Sequence, residues 1–297
     1  MCIGRKKIRF TKKSKAQIDQ INEIAAKYKE KEQKITVRQM YYRLVSKKYL
    51  THSKKSYKQV VTRLTDGRMT GLIDWDIIVD TARSSHMHHE FPSMKDFLDA
   101  AKKSYRRPRW DGQKNYVEVM VEKDALARIL RPITDAYHVR LTINRGYTST
   151  TFVHDLYNRL DDAAISRDKK FVLLYMGDHD PSGTSMPESI RMSLEELNPA
   201  LFIREWGKMD VIALTDEQIK EYGLPSIPVN KKDTRAAKYM EKYGDAAWEL
   251  DALEPEVLAD ILELNIKKYL NVRKYNKMKK AEEEDKKKMS NLLDTQL

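Results

Sequence analysis

The sequence predicts an α/β protein: an open, mostly parallel sheet with helices on both faces, preceded by a smaller basic helical unit. Three observations carry this. From Asn115 onward, short apolar runs alternate with amphipathic segments, the pattern of repeated strand–helix–strand units. Two of those runs, Val117-Glu-Val-Met-Val121 and Phe171-Val-Leu-Leu-Tyr-Met176, are rich in Val and Leu, as strands buried on both faces are. Charge also divides the chain. Residues 1–110 hold 27 Lys+Arg against 11 Asp+Glu, whereas residues 111–265 carry a net of −9.

In the front unit, residues 14–31 place Ile18, Ile21, Ile24 and Ala25 at helical spacing. Ile35-Thr36 reads as a staple and N-cap for a second helix, Val37 to Lys48, with Met40, Tyr41, Leu44 and Val45 on one stripe. A third helix, Ser53 to Leu64, turns Tyr57, Val60, Val61 and Leu64 inward and Lys54, Lys55, Lys58 and Arg63 outward. The Asp66-Gly67 pair is expected to stop it. Trp75-Asp-Ile-Ile-Val79 is short and β-branched, so it reads as a strand. Three helices and a strand describe a winged helix over residues 1–82, its third helix entering the major groove with basic side chains on phosphates.

Residues 83–114 read as a linker with a helix around 93–105 and a basic, aromatic stretch, Tyr105-Arg-Arg-Pro-Arg-Trp110, able to touch a nucleic-acid backbone. The sheet domain is expected over 115–270. Its strands fall at 116–121, 139–143, 170–176 and 209–213, and its helices at 123–136, 148–160, 184–196 and 255–270. A further helix starts at Thr215, and an irregular stretch holds Pro225 and Pro228. Residues 271–297 are a lysine-rich tail with an acidic insert at 282–285, expected as a solvated helix or a disordered segment. No internal repeat is present.

The bulk numbers exclude several classes. With 297 residues, 34% charged and 41% apolar, the chain is long enough for two domains with real cores. No run approaches the roughly 18–20 apolar residues that span a bilayer, and the amino terminus has no apolar signal core. The lone Cys2 excludes an internal disulfide framework and a cysteine-based zinc site. A cytoplasmic, DNA-associated protein is expected. A basic front joined to an acidic back fits a nucleic-acid-binding module joined to a metal-dependent catalytic one, more than a lysine-rich surface kept for solubility.

The acids supply the chemistry. Strand 116–121 runs into Glu122, and strand 170–176 runs into Asp178-His-Asp180-Pro-Ser-Gly183. Carboxylates at the C-terminal ends of neighbouring parallel strands converge on one crevice. Glu122, Asp178 and Asp180 are the expected ligands of Mg²⁺, or of a similar cation such as Mn²⁺, which prefers carboxylate oxygens and keeps waters for its substrate's phosphates. Glu118 shares the parity of Glu122 but lies deeper, and reads as a core or edge support. His86, His88 and His89 read as a solvated loop cluster. Lys231-Lys-Asp233-Thr-Arg235 and Trp248-Glu249-Leu-Asp251-Ala are explained as well by caps and salt bridges as by a further ligand or DNA contact.

Glu122-Lys-Asp-Ala, Gly146-Tyr147 and Asp178-His-Asp180-Pro-Ser-Gly183 together resemble the Toprim domain of topoisomerases, primases and certain nucleases. The Asp-x-Asp-Pro-x-Gly form is similar to that of the topoisomerase VI A subunit and the meiotic double-strand-break protein. In that family a winged-helix domain with an Arg-x-x-Tyr-Tyr motif precedes Toprim, and here Arg38-Gln-Met-Tyr41-Tyr42 stands at the corresponding place. The likeness covers roughly residues 30–200 and rests on two separate motifs. It implies that Tyr42 attacks a DNA phosphodiester to leave a 5′-phosphotyrosyl link, and that Arg38, one turn earlier, stabilises the phenolate or phosphorane. It implies that Glu122 relays a proton during religation. It also implies a homodimer in which one protomer's tyrosine meets the other's Toprim domain.

His179 and Ser182 depart from the small and aromatic residues common in that segment. The only glycine-rich candidate, Pro181-Ser-Gly183, is far from a phosphate-binding Walker loop. Since topoisomerase VI needs a separate ATPase subunit for strand passage, the resemblance implies either a compact standalone relative or a chain that recruits a separately encoded ATPase partner. A second reading stays open: a Toprim metal-dependent nuclease that hydrolyses DNA with no tyrosine intermediate.

Overall fold

Four strands form an all-parallel sheet in the order β2-β1-β3-β4: β1 (Asn115–Val121), β2 (Arg140–Ile143), β3 (Lys170–Met176) and β4 (Gly207–Ala213). The structure is a computed structural model that describes residues 8–31, 33–78, 90–144, 150–166, 168–199 and 207–296. Side chains alternate across the sheet with period two. Val117, Val119, Val121, Val172, Leu174 and Met176 pack one way, against Leu126 and Leu130 of α5 (Asp124–Tyr137) and Leu258, Leu262 and Ile266 of α10 (Pro255–Lys268). Met120, Phe171, Leu173 and Tyr175 pack the other way, against α6 (Thr150–Asp161) and α7 (Pro181–Leu197). Helices on both faces explain why these strands are almost continuously apolar.

Glu118 is the exception, fully buried on the α6 face. Its carboxylate accepts from Arg159 (2.8 and 3.1 Å), Thr142 (2.5 Å) and Tyr116 (2.9 Å), so the buried charge is paired and hydrogen-bonded. It supports the core, as expected from its depth.

The three front helices are α1 (Lys12–Glu30), α2 (Val37–Ser46) and α3 (Lys54–Met69). Thr36 and Gln39 form a reciprocal capping box that fixes the start of α2. Ile18, Ile21, Ile24, Met40, Tyr41, Tyr42, Leu44, Val60 and Leu64 make their common core.

Three expectations fail here. Asp66-Gly67 does not stop α3, which continues to Met69. A Cβ on Gly67 would stand 2.4 Å from Ile73 Cδ1, so the glycine serves close packing within the helix. Val61, expected inward, is exposed. The expected strand does not form over Trp75–Ile77: Asp74 accepts from the Asp76 N–H and tightens these residues into a 3-10 turn. Only Ile78 makes a single parallel bridge, to Ile35. Among the described residues no wing follows α3, so the helical half of the winged-helix expectation holds and the wing is not established. Residues 79–89, with His86, His88 and His89, lie outside the described residues.

Beyond β4 come α8 (Asp216–Glu221), a two-stranded antiparallel pair of β5 (Ile227–Pro228) and β6 (Ala246–Ala247), and α9 (Ala236–Tyr243). The tail is one helix, α11 (Val272–Gln296), packed on α4 (Met94–Ser104). It is not simply solvated. Glu282 is 1% exposed and accepts from Arg109 Nη2 (3.0 Å), Lys286 (2.8 Å) and the Arg107 N–H (3.0 Å). Asp285 accepts from Arg107 Nε (2.5 Å) and Tyr105 (2.8 Å). Two of the three arginines expected to face nucleic acid are therefore engaged in docking α11.

The front helices join the sheet unit through the 3-10 turn Leu250–Ala252. Arg43 donates to the Ala252 and Leu253 carbonyls (2.8 and 3.1 Å) and pairs with Glu254, while Ala252 sits within the front core. No helix among the described residues is long and apolar enough to cross a membrane.

Burial pushes the Glu282 carboxyl up, but the bonds from Arg109, Lys286 and the Arg107 N–H outweigh it and bring it down to about 2. A carboxyl lowered on folding adds stability above its unfolded pKa of about 4.3 and loses it as pH falls toward the folded value. Glu282→Ala is expected to cost about 3 kcal/mol near neutral pH. In denaturant unfolding the gap between wild type and variant should be smaller at pH 3 than at pH 7; an equal gap at both would contradict the pairing.

Candidate active site

Strand register brings the first two acids together. β1 and β3 pair from Asn115↔Lys170 to Val121↔Met176, so both chains leave the sheet at one level. The Glu122 N–H donates to the Met176 carbonyl (3.0 Å), and the Asp178 N–H donates back to Glu122 Oε2 (3.3 Å). Asp180 caps α7: its Oδ1 accepts from the Gly183 N–H at 2.7 Å, and Pro181 takes the first helical position, where no N–H is needed. A Cβ on Gly183 would lie 2.0 Å from the Asp178 carbonyl oxygen. Only glycine lets the helix begin so close beneath Asp178. The Asp-x-Asp-Pro-x-Gly spacing is thus explained by local geometry.

The three carboxylates influence one another. Burial raises Glu122 above the ordinary carboxylate range, the Asp178 N–H opposes this, and the charge of Asp180 adds to it. Burial likewise raises Asp178, against the pull of Lys123 and with the help of Glu122. Hard oxygen donors crowded at one edge, two of them uncomfortable as anions, suit a divalent cation. As they stand, the described residues contain no group of three or more His, Cys, Asp or Glu side chains arranged to hold a metal ion. The donor chemistry fits the expected cation, while the spacing does not close around one.

The cation found in the cluster is the ammonium of Lys123. Its Nζ lies 2.8 Å from Asp178 Oδ1, 2.8 Å from Asp251 Oδ2 and 3.3 Å from Glu249 Oε2. Burial alone would lower the lysine; the three carboxylates outweigh it and hold it firmly protonated. Arg38 reaches the same acids from α2, with Nη1 at 3.0 Å from Glu249 Oε2 and 3.9 Å from Asp251 Oδ2. Tyr42, one turn after Arg38 on α2, lies within reach of the Glu249 charge. Burial, then the charge of Glu249, drive Tyr42 well above the usual phenol range.

The two adjacent tyrosines have different duties. Tyr41 bonds His52 Nδ1 (2.9 Å) and the Ser53 carbonyl (3.2 Å) and accepts the Ser53 N–H (2.8 Å), which fixes the turn before α3. Tyr42, at 3% exposure, is the one that meets the charged cluster.

Sequence reasoning left Glu249 and Asp251 among elements explicable as caps and salt bridges. Their position comes from a bridge between distant segments: His179 and Trp248 exchange both backbone hydrogen bonds at 2.9 Å, and the Leu250 N–H donates to Asp178 Oδ1 at 2.8 Å. His179, one of the departures from the family pattern, is buried against Tyr239, Tyr243 and Trp248. Its Nδ1 is 2.8 Å from the Tyr239 hydroxyl and its Nε2 3.2 Å from Asp216. The available signal was two acids at i and i+2 beside a tryptophan, and it names no partner.

On α3, Lys54, Lys55 and Lys58 are exposed and share one groove with Gln59, Thr62 and the half-buried Arg63. Arg63 Nη1 stands 3.8 Å from Asp66. Gly146 and Tyr147 lie outside the described residues. Scanned against protein-family models the chain matches none, and a search of curated proteins finds no match.

Lys123→Met would leave Asp178, Glu249 and Asp251 facing one another without their shared ammonium. Breaking a buried ion pair this way costs about 3–5 kcal/mol. Urea unfolding should register a loss of that size at neutral pH; an unchanged midpoint would remove Lys123 from its central place.

Proposed function

We propose that this protein cleaves DNA by transesterification, with Tyr42 as nucleophile and Glu122, Asp178 and Asp180 as the residues that hold a divalent cation, Mg²⁺ or Mn²⁺. The observation that carries this reading is the single cluster in which Arg38 of α2, one turn before Tyr42, shares Glu249 with Lys123, which in turn reaches Asp178 at the sheet edge. When bound, the cation supplies charge neutralisation at the phosphate and stabilisation of the departing oxygen. Arg38, fixed by Glu249, supports negative charge developing on the phenol oxygen or the phosphorane. The basic face of α3 holds the backbone of the duplex.

A homodimer cutting both strands, with a separately encoded ATPase where strand passage is needed, belongs to the same proposal. Tyr42 here stands beside Glu249 of its own chain, so one subunit already combines tyrosine, arginine and carboxylates.

One observation favours hydrolysis as the second reading. Tyr42 is almost fully buried, and its phenol is held far above the range in which it ionises readily. A packed tyrosine would leave the carboxylate edge to activate water instead.

Supercoiled plasmid, Mg²⁺ and a denaturing stop separate the two. Transesterification leaves DNA covalently attached to protein, and Tyr42→Phe should abolish the adduct and slow cleavage by at least about 10³-fold. Undiminished cutting by Tyr42→Phe, with free ends, would establish hydrolysis instead. Asp178→Asn should silence cleavage either way, and full activity in that variant would remove the carboxylate edge from the mechanism.

A further inference from the structure

A phenol with a pKa near 10 is mostly protonated at neutral pH, and burial makes Tyr42 harder still to ionise. Transesterification therefore requires a group that removes the proton during attack, and the identity of that group matters only if Tyr42 is the nucleophile. Glu249 is the carboxylate the cluster brings to this end of α2: Arg38, one turn before Tyr42 on the same helix, pairs with it at 3.0 Å, and its charge bears on the Tyr42 phenol. Arg38 at 3.0 Å and Lys123 at 3.3 Å hold that carboxylate from α2 and from the end of β1. The His179–Trp248 bridge fixes the backbone one residue earlier.

The neighbouring alternatives are directed elsewhere, and among the described residues the Asp251 Oδ1 bonds no group, Tyr42 included. His52 stacks beside Tyr42 with ring centroids 5.6 Å apart, but its Nδ1 bonds Tyr41. Asp251 is fully buried and directs Oδ2 to Lys123 at 2.8 Å. Asp178 binds Lys123 and the Leu250 N–H. The arrangement of nucleophile, proton acceptor and orienting cations is the general pattern of an activated hydroxyl.

We propose that Glu249 is the general base of this site, taking the phenolic proton of Tyr42 as its oxygen attacks phosphorus; this rests on the transesterification reading. The Tyr42 O–H bond breaks and the proton passes to a Glu249 oxygen. The bond from the Tyr42 oxygen to phosphorus forms as the bond from phosphorus to the 3′-oxygen breaks. The 3′-oxygen leaves with the electron pair and takes a proton from water, while Glu249 releases its proton to solvent. Nothing is oxidised or reduced. In religation the 3′-hydroxyl gives its proton to water and its oxygen re-forms the bond to phosphorus, the Tyr42 oxygen–phosphorus bond breaks, and Glu249, reprotonated from solvent, donates that proton to the departing Tyr42 oxygen. Lys123 and Arg38 act as positioning residues, since both touch the base and keep it anionic.

The test uses the full chain, plasmid DNA, Mg²⁺ and the rate of covalent adduct formation. Glu249→Gln keeps the size and hydrogen bonding of the side chain but accepts no proton, so the rate should fall about 10²–10⁴-fold with DNA binding retained. In Glu249→Ala, added formate should restore the rate in proportion to its concentration, which a structural role would not do. If Glu249→Gln fails to fold, Glu249→Asp decides. That variant keeps the charge facing Arg38 and Lys123 but shortens the reach to Tyr42. A folded, DNA-binding Glu249→Asp that forms adduct slowly supports the assignment; one as fast as wild type overturns it. Glu249→Gln at the wild-type rate, or Glu249→Ala unmoved by formate, overturns it too. A Tyr42→Phe variant that still cleaves would remove the transesterification reading itself, a result distinct from failure of the base alone.

Discussion

Burying carboxylates side by side costs several kcal/mol per charge unless a cation shares the space, and Lys123 is the cation this chain places there. Its ammonium faces Asp178 from the end of β3 and both Glu249 and Asp251 from the turn after β6. Arg38 approaches the same two acids from the front helices. Two cations and three acids thus bind four separate parts of the chain at one point. Around them the architecture is ordinary: a parallel sheet with both faces covered, and a helical unit docked on the turn where the acids lie.

The cluster is charged, largely buried and adjacent to a tyrosine, and the proposed function draws on that combination. Ion pairs of this kind are weak sources of net stability, whereas a hydroxyl near a carboxylate held by two cations is the arrangement the proposal uses. The same contacts explain why Tyr42 rather than Tyr41 is the reactive candidate. Tyr41 has three bonds to the turn before α3, while Tyr42 has a carboxylate within reach. Glu122 and Asp180 stand at the margin of the network, each with one oxygen on a backbone N–H.

Much of the sheet domain was legible because the signal is local. The runs at 116–121 and 170–176 match β1 and β3 within a residue, and Asp180, Pro181 and Gly183 each have the cap, first-turn and close-approach roles their types imply. Where local signals misled, a neighbour had intervened. Ile77 and Ile78 carry strand propensity, but the Asp74 cap turns the chain first. Gly67 reads as a stop until Ile73 is seen packed on it. Glu249 and Asp251 escaped because their place depends on His179 pairing with Trp248, a contact no periodicity reports. The acidic insert of the tail is likewise meaningful only beside Arg107 and Arg109, more than a hundred residues earlier.

Through Glu249 and Asp251, α2 and the carboxylate edge form one energetic unit. A double-mutant cycle on unfolding stability, with Arg38→Met, Lys123→Met and the pair together, measures this directly. Because both cations share the same acids, a coupling of about 1–3 kcal/mol is expected. Additivity within about 0.5 kcal/mol would mean that the helix and the sheet edge are energetically separate, and Tyr42 would then have no energetic link to the acids the proposed mechanism assigns to it.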